Sequence, residues 1–162
     1  MTAPARPAVI ASLSYRDPIA AMRWLETAFG FETSVLITDA GGGVAYAEMA
    51  YRDAPFCVMR EWESDALLGP ARIRSPLSLD GVNTQFFRVS VEDIDAHCAQ
   101  ARAAGAQITQ APADQFYGER TYRALDLEGH VWNFTQPVAE VAPEEMERSM
   151  GLKIEKGPGR GG

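Results

Sequence analysis

The chain has few cysteines, no long apolar run and little positive charge, and each shortage excludes a class of protein. Cys57 and Cys98 are the two cysteines, in neither a CxxC nor a zinc-type spacing. No apolar run approaches the roughly 18 residues needed to span a bilayer. The N-terminal stretch has too short an apolar core for a signal peptide. For this sequence of 162 residues we therefore expect a reduced, cytoplasmic protein.

The charge balance disfavours two classes of partner. Fifteen Lys and Arg residues against 22 Asp and Glu residues give a formal net charge of −7, which argues against nucleic acid and anionic membranes as partners. The acidic balance leaves room for a cationic or neutral small-molecule ligand, although most soluble cytoplasmic domains are acidic for solubility alone.

GxSxG, HExxH and P-loop motifs are absent from the sequence. Residues 157–162 match GxGxxG, but no predicted strand precedes them, so we interpret the match as fortuitous.

The first third of the chain has the pattern of one helix among four strands. Residues 8–15 alternate between two faces, which predicts a strand. Asp17 and Pro18 are typical of a helix N-cap and first helical residue, and Gly30 of a helix end. Three short strands are predicted after the helix, at residues 32–38, 44–51 and 55–62.

The same order of elements returns after a predicted linker. Residues 84–91 alternate again, and the helix that follows Glu92 or Asp93 stops at Gly105. The last three strands are predicted at residues 107–110, 120–125 and 130–135. We therefore predict an α+β fold of two βαβββ modules. Their predicted bounds are 1–62 and 84–137, with a linker at 63–83 and a tail at 138–162 that is either a short amphipathic helix or a frayed end.

Five short motifs accompany this order. They are YRDP…WL…FGF within residues 15–31, YAEM at 46–49, VEDIDA…AAGA within 91–106, FYGER at 116–120 and LDLEGHVWNF at 125–134. In that order they resemble the vicinal oxygen chelate superfamily, which includes glyoxalases, bleomycin-resistance proteins and extradiol dioxygenases. The resemblance covers about residues 8–137. It implies paired modules whose sheets curl around a cavity, and usually a homodimer.

The resemblance also implies where a metal would be bound. Metal-using members place His, Gln or Glu on the first and last strands of both modules. The matching positions here are Ile10, Phe86 (or Gln85), Asn133 and, more loosely, Met59 or Arg60. Isoleucine and phenylalanine have no donor atom, and a neutral amide is a poor ligand for a transition metal. We therefore expect no metal and no other cofactor, and we expect structural roles for His97 and His130.

Strand alternation and loop position suggest which residues line the cavity. The candidates for ligand binding are Ile10, Ser12, Trp62, Phe86, Tyr117 and Asn133. Trp24 and Trp132 are expected in the core. Arg88 also points into the cavity, where its charge needs either Glu48 or an anionic group of a ligand. The leading hypothesis is a metal-independent protein that sequesters a ligand. The alternative is a lyase or isomerase in which Glu48 is the general base and Arg88 stabilises negative charge.

Overall fold

The two periods of the sequence fold into two four-stranded sheets. The structure, a computed structural model, describes residues 7–63, 66 and 69–155. The first module contains β1 (Ser12–Tyr15), α1 (Pro18–Phe29), β2 (Glu32–Thr38), β3 (Val44–Tyr51) and β4 (Ala54–Arg60). The second contains β5 (Phe86–Ser90), α2 (Ile94–Ala103), β6 (Gln107–Asp114), β7 (Glu119–Leu125) and β8 (Val131–Pro137). The predicted α+β class and the βαβββ order are confirmed.

Each sheet begins with a parallel pair and continues antiparallel. The strand orders are β1-β4-β3-β2 and β5-β8-β7-β6, so β1, β2, β5 and β6 are the edges. The first strand is shorter than residues 8–15, because Ser12 pairs with Cys57 and the same register would pair Ile10 with Pro55. Proline has no N–H to donate, so the ladder stops there.

Both helices begin where the sequence indicates. The Asp17 carboxylate accepts the Ala20 N–H, and Gly30 ends α1 with a φ of 67°. Of the two candidate caps of α2, Asp93 is the one used, since its side chain accepts the Ala96 N–H. These caps fix where each helix starts relative to the strand before it.

The core lies between the two sheets, with α1 and α2 packed against each other inside it. Phe29 contacts Phe134 and Phe31 contacts Trp132, with ring centroids 4.8 and 5.1 Å apart. The Trp24 indole N–H donates to the Ala104 carbonyl at 2.9 Å. Trp132 thus has the core role predicted for it, and Trp24 is partly buried and packs against that core. Because the helices occupy the inner side of both sheets, the opposite side of each sheet is its outer face.

The β7–β8 turn holds the modules together through buried polar groups. Asp126 accepts hydrogen bonds from the Tyr15 hydroxyl at 2.7 Å and the Trp132 indole at 3.1 Å. His130 Nε2 lies 2.9 Å from the Ser14 carbonyl oxygen, and since a carbonyl only accepts, the ring nitrogen donates. This bond is the structural role expected of His130.

The linker is more ordered than its composition suggests. Trp62 and Ile73 form an isolated antiparallel bridge, and a 3-10 turn runs over Pro76–Leu79. Ser75 is fully buried and donates to Glu128 at 2.5 Å. The linker is therefore pinned to the turn that joins the modules.

The tail begins with a helix, α3 (Pro143–Met150), in which no residue is buried. Of the two alternatives given for this segment, a short helix or a frayed end, the structure has the short helix. The GxGxxG match at 157–162 lies outside the described residues. Among the helices of the described segments, none has the length and apolar character to cross a membrane.

Candidate functional site

Three rows of side chains cross the outer face of the second sheet. The pairing of β5, β8 and β7 aligns residues directly opposite one another. Along the direction of β5 the rows follow one another in this order: an apolar row, a basic and amide row, and a hydroxyl row. We call these nine residues the second outer face: Phe86, Val131 and Leu125; Arg88, Asn133 and Arg123; Ser90, Thr135 and Thr121. The alternation predicted for residues 84–91 is confirmed, because Phe87 and Val89 pack on the core instead.

Arg88 forms an ion pair, but not with the predicted residue. Its Nη2 contacts the carboxylate of Glu119, which lies on β7, so the guanidinium reaches across β8. Glu48 belongs to the other sheet, and the expected Arg88–Glu48 pair is wrong within one chain. The Arg88 side chain is 54% exposed and that of Glu119 21%. Thr121 and Thr135, which lie opposite each other on β7 and β8, are buried.

Two members of the basic and amide row have unused hydrogen-bonding capacity. Asn133 is 9% exposed, and its buried Oδ1 has no hydrogen-bond partner. Arg123 is exposed on the central strand β7. Within the segments that the structure describes, its guanidinium makes no hydrogen bond or ion pair. The face is therefore locally basic, although the chain carries a net charge of −7.

The outer face of the first sheet carries a different set of groups. One row crosses its four strands as Ser12, Cys57, Glu48 and Val35. The Tyr46 hydroxyl donates to Glu48 at 3.1 Å and lies 3.7 Å from the Cys57 thiol. Hydrogen bonds to Cys57 and Glu48 raise the pKa of Tyr46 to about 12, so the phenol is neutral at physiological pH. We call Ser12, Cys57, Glu48, Val35 and Tyr46 the first outer face.

One chain does not bring the predicted ligand-binding residues together. Ile10 shares a shallow depression with Glu48 beside the first outer face, while Phe86 lies on the second. Trp62 lies in another depression, with Met59 and Arg60 at the end of β4. Tyr117 stacks edge-on against Phe116 in the β6–β7 turn, with ring centroids 5.1 Å apart.

A cleft of about 320 Å³ opens between the β3–β4 turn and β5. It ends on core rings that are themselves buried: Phe31, Phe56 and Trp132 are 2, 8 and 2% exposed. Arg52 and Glu92 form an ion pair at 2.8 Å between the β3–β4 turn and the residues after β5. Tyr51 and Phe87, which also line the cleft, are partly exposed, whereas Phe86 outside it is 63% exposed.

Comparison with known proteins gives the family. Residues 8–134 match the model of the Glyoxalase/Bleomycin resistance protein/Dioxygenase superfamily. This chain belongs to that superfamily. An uncharacterized protein of Mycobacterium bovis, Mb0911c, is 30% identical over 144 residues, which are 89% of this chain and 92% of the relative.

Solved structures agree with the glyoxalase/bleomycin-resistance fold. TioX from Micromonospora sp. ML1 is 29% identical with a TM-score of 0.62, covering 84% of this chain and 100% of TioX. TnmS3 from Streptomyces sp. CB03234, an antibiotic binding protein, is 19% identical with a TM-score of 0.60. That comparison covers 82% of this chain and 99% of TnmS3. At such identity TnmS3 supports the fold alone.

At the positions where the resemblance predicts metal ligands, the side chains of this chain do not fit a metal ion. Ile10 and Phe86 supply no donor atom, and Asn133 supplies only a neutral amide. Over residues 7–63, 66 and 69–155, no group of three or more His, Cys, Asp and Glu side chains is placed to hold a metal ion. His97 is also engaged elsewhere, with Nδ1 2.6 Å from the Tyr122 hydroxyl and Nε2 3.1 Å from the Phe29 carbonyl oxygen. Its structural role is as predicted.

Sequence reasoning missed two residues: Arg123 on the second outer face and Glu119, the partner of Arg88. Arg123 alternates with Tyr122 and Ala124, both fully buried, so the period of two along β7 was a usable signal. Glu119 had no such signal. Its proximity to Arg88 depends on β8 lying between β5 and β7, which is a property of the strand order.

Proposed function

We propose that this chain is a metal-independent binding protein of the glyoxalase/bleomycin-resistance type that sequesters a small molecule against its outer faces. The observation that carries the proposal is the exposed ring of Phe86, at 63%, one row from Arg88, Asn133 and Arg123. An apolar ring in water beside a few convergent polar groups is typical of a binding surface. The antibiotic binding protein TnmS3 has the same fold, so the fold is compatible with this use.

We propose further that two copies complete the site. Within one chain α1 and α2 fill the space between the sheets, so the two outer faces cannot meet. In a homodimer the first outer face of one copy would cover the second outer face of the other. Ile10, Ser12 and Glu48 would then share a cavity with Phe86 and Asn133. This arrangement assembles most of the ligand-binding residues predicted from the sequence.

The edge strand β2 supports association. All seven of its residues are exposed, and Val35, Leu36 and Ile37 are 37, 46 and 53% exposed. An apolar edge with free backbone groups is a surface that proteins normally cover. Light scattering of the purified chain at micromolar concentration should therefore give twice the mass of one chain. A monomer under these conditions contradicts the shared cavity.

A thermal-shift screen with anionic, neutral and cationic aromatic compounds tests ligand binding. We expect one class to raise the melting temperature of the wild type, and Phe86→Ala to abolish that rise. Leu127→Ala is the matched control, since Leu127 is an exposed apolar residue (40%) outside both outer faces. A screen without any stabilising compound, or equal losses in both variants, contradicts the proposal.

Metal analysis tests the remaining part of the proposal. Protein dialysed against a chelator should bind the compound found in the screen as tightly as untreated protein. Stoichiometric zinc, nickel or iron that survives dialysis and is coordinated at the second outer face would overturn metal independence.

A further inference from the structure

We infer that the ligand of the second outer face is an amphipathic anion, with a hydrogen-bond donor next to its anionic group, held by Arg123 and Asn133. This inference rests on the proposed function and adds the chemical class of the ligand. Its basis is the order of the rows: an apolar row, a basic and amide row, and a hydroxyl row.

Arg123 is the cation of the second outer face that no described residue neutralises. Arg88, the other cation of the row, is already paired with Glu119. Arg123 stands on an inner strand, exposed, and makes no hydrogen bond or ion pair with any residue that the structure describes. A guanidinium is a planar fork of donors that matches a carboxylate, sulfonate or phosphate. The available charge on this face therefore selects an anion.

Asn133 is the second, independent observation. It lies directly opposite Arg123, and neighbouring strands are about 4.8 Å apart, so both side chains reach one bound group. The residue is 9% exposed, and its buried Oδ1 has no partner. Buried acceptors are normally satisfied. The Oδ1 atom is covered in the unliganded chain, so a rotation of the amide toward the face would let a hydroxyl or N–H of the ligand, beside its anionic group, supply the missing donor.

The apolar row explains why the ligand is more than an inorganic ion. Phe86, Val131 and Leu125 lie two residues along the strands from the basic row, which is about 7 Å. On the other side of the basic row, Thr121 and Thr135 are buried. An anionic group on Arg123 thus leaves the rest of the molecule to extend over the exposed ring of Phe86.

The test compares 3-hydroxy-2-naphthoate with its methyl ester, by calorimetric titration of the full chain. The two compounds share the ring and the hydroxyl and differ in charge. We expect the acid to bind at least tenfold more tightly than the ester, a ratio typical of a charge-assisted hydrogen bond. Arg123→Gln should remove that difference, because it weakens binding of the acid far more than binding of the ester. Arg23→Gln, the same change at an exposed residue of α1, should preserve it.

The outcomes separate this inference from the function on which it rests. If acid and ester bind equally, and Phe86→Ala abolishes both, anion recognition is overturned while ligand binding stands. If neither compound binds, and the broader screen also finds no ligand, both are overturned. If Arg123→Gln and Glu48→Gln weaken the dimer equally, and the double variant weakens it no further, Glu48 of a second copy is the counterion of Arg123. The inference then fails.

Discussion

Glu128 is the residue whose replacement tests how the modules are held together. It is 5% exposed and accepts three hydrogen bonds from distant parts of the chain. Oε2 receives the Arg16 N–H at 2.8 Å and the Ser75 hydroxyl at 2.5 Å, and Oε1 receives the Asp17 N–H at 3.0 Å. The β1–α1 corner and the linker are thus both attached to the β7–β8 turn through one carboxylate.

Glu128→Gln keeps the shape of the side chain but removes its charge and one acceptor. The best placement of the amide puts its oxygen at the Oε2 position, so its NH2 group faces the Asp17 N–H, donor against donor. One charge-assisted bond is lost, the other two weaken, and a buried donor is left unpaired. Since bonds to charged groups contribute about 1.5–3 kcal/mol, we expect a loss of about 2–4 kcal/mol in unfolding free energy.

Equilibrium unfolding in urea, at one fixed protein concentration, measures this loss. Glu92→Gln is the control, because the Glu92 side chain is 88% exposed and its pair with Arg52 is at the surface. That variant should differ from wild type by less than about 0.5 kcal/mol. A Glu128→Gln variant within about 0.5 kcal/mol of wild type would refute the view that this carboxylate joins the modules.

Three further predictions concern single sites. Burial lowers the pKa of His97 from 6.5, so the unfolded chain binds the proton more tightly than the folded chain. The free energy of unfolding should therefore fall as the pH drops below about 6.5. If His97→Gln shows the same dependence of unfolding free energy on pH as the wild type, this prediction is wrong. A double-mutant cycle on Arg88 and Glu119 should give a coupling of about 1 kcal/mol, and strict additivity would deny the pair. Gly118→Ala should lower the unfolding free energy measured in urea by roughly 1–3 kcal/mol more than Gly42→Ala does. Both glycines have a positive φ, 85° at Gly118 and 80° at Gly42, but only a Cβ at Gly118 meets the Ala139 carbonyl. Equal losses in the two variants would exclude that clash.

The sequence was sufficient for the elements and their faces because those depend on local periods. A period of two places Phe87 and Val89 on the core and Arg88 on the outer face, whatever the rest of the fold is. Asp17 and Gly30 likewise mark the ends of α1 by local chemistry. Such features need no knowledge of distant residues.

Partners across the fold were beyond the reach of the same reasoning. The pairing of Arg88 with Glu119 requires β5 to lie parallel to β8 and β8 beside β7, and each strand segment alone is compatible with other orders. The buried carboxylates Asp126 and Glu128 stand in a turn whose composition predicts exposure. Their partners, Tyr15 and Ser75, come from elements more than 50 residues away in sequence.

Phe86 and Phe87 allow the division between core and binding face to be tested at adjacent positions. The Phe87 ring packs on Trp132, with centroids 5.1 Å apart, whereas Phe86 is 63% exposed. Truncating a fully buried Phe costs about 3–5 kcal/mol, so for the partly buried Phe87 we expect about 2 kcal/mol from Phe87→Ala. Phe86→Ala should cost less than about 0.5 kcal/mol while removing ligand binding. Equal destabilisation by the two variants in urea unfolding would mean that both rings pack in the core. The second outer face would then lose its apolar row, and with it the reason to expect an aromatic ligand there.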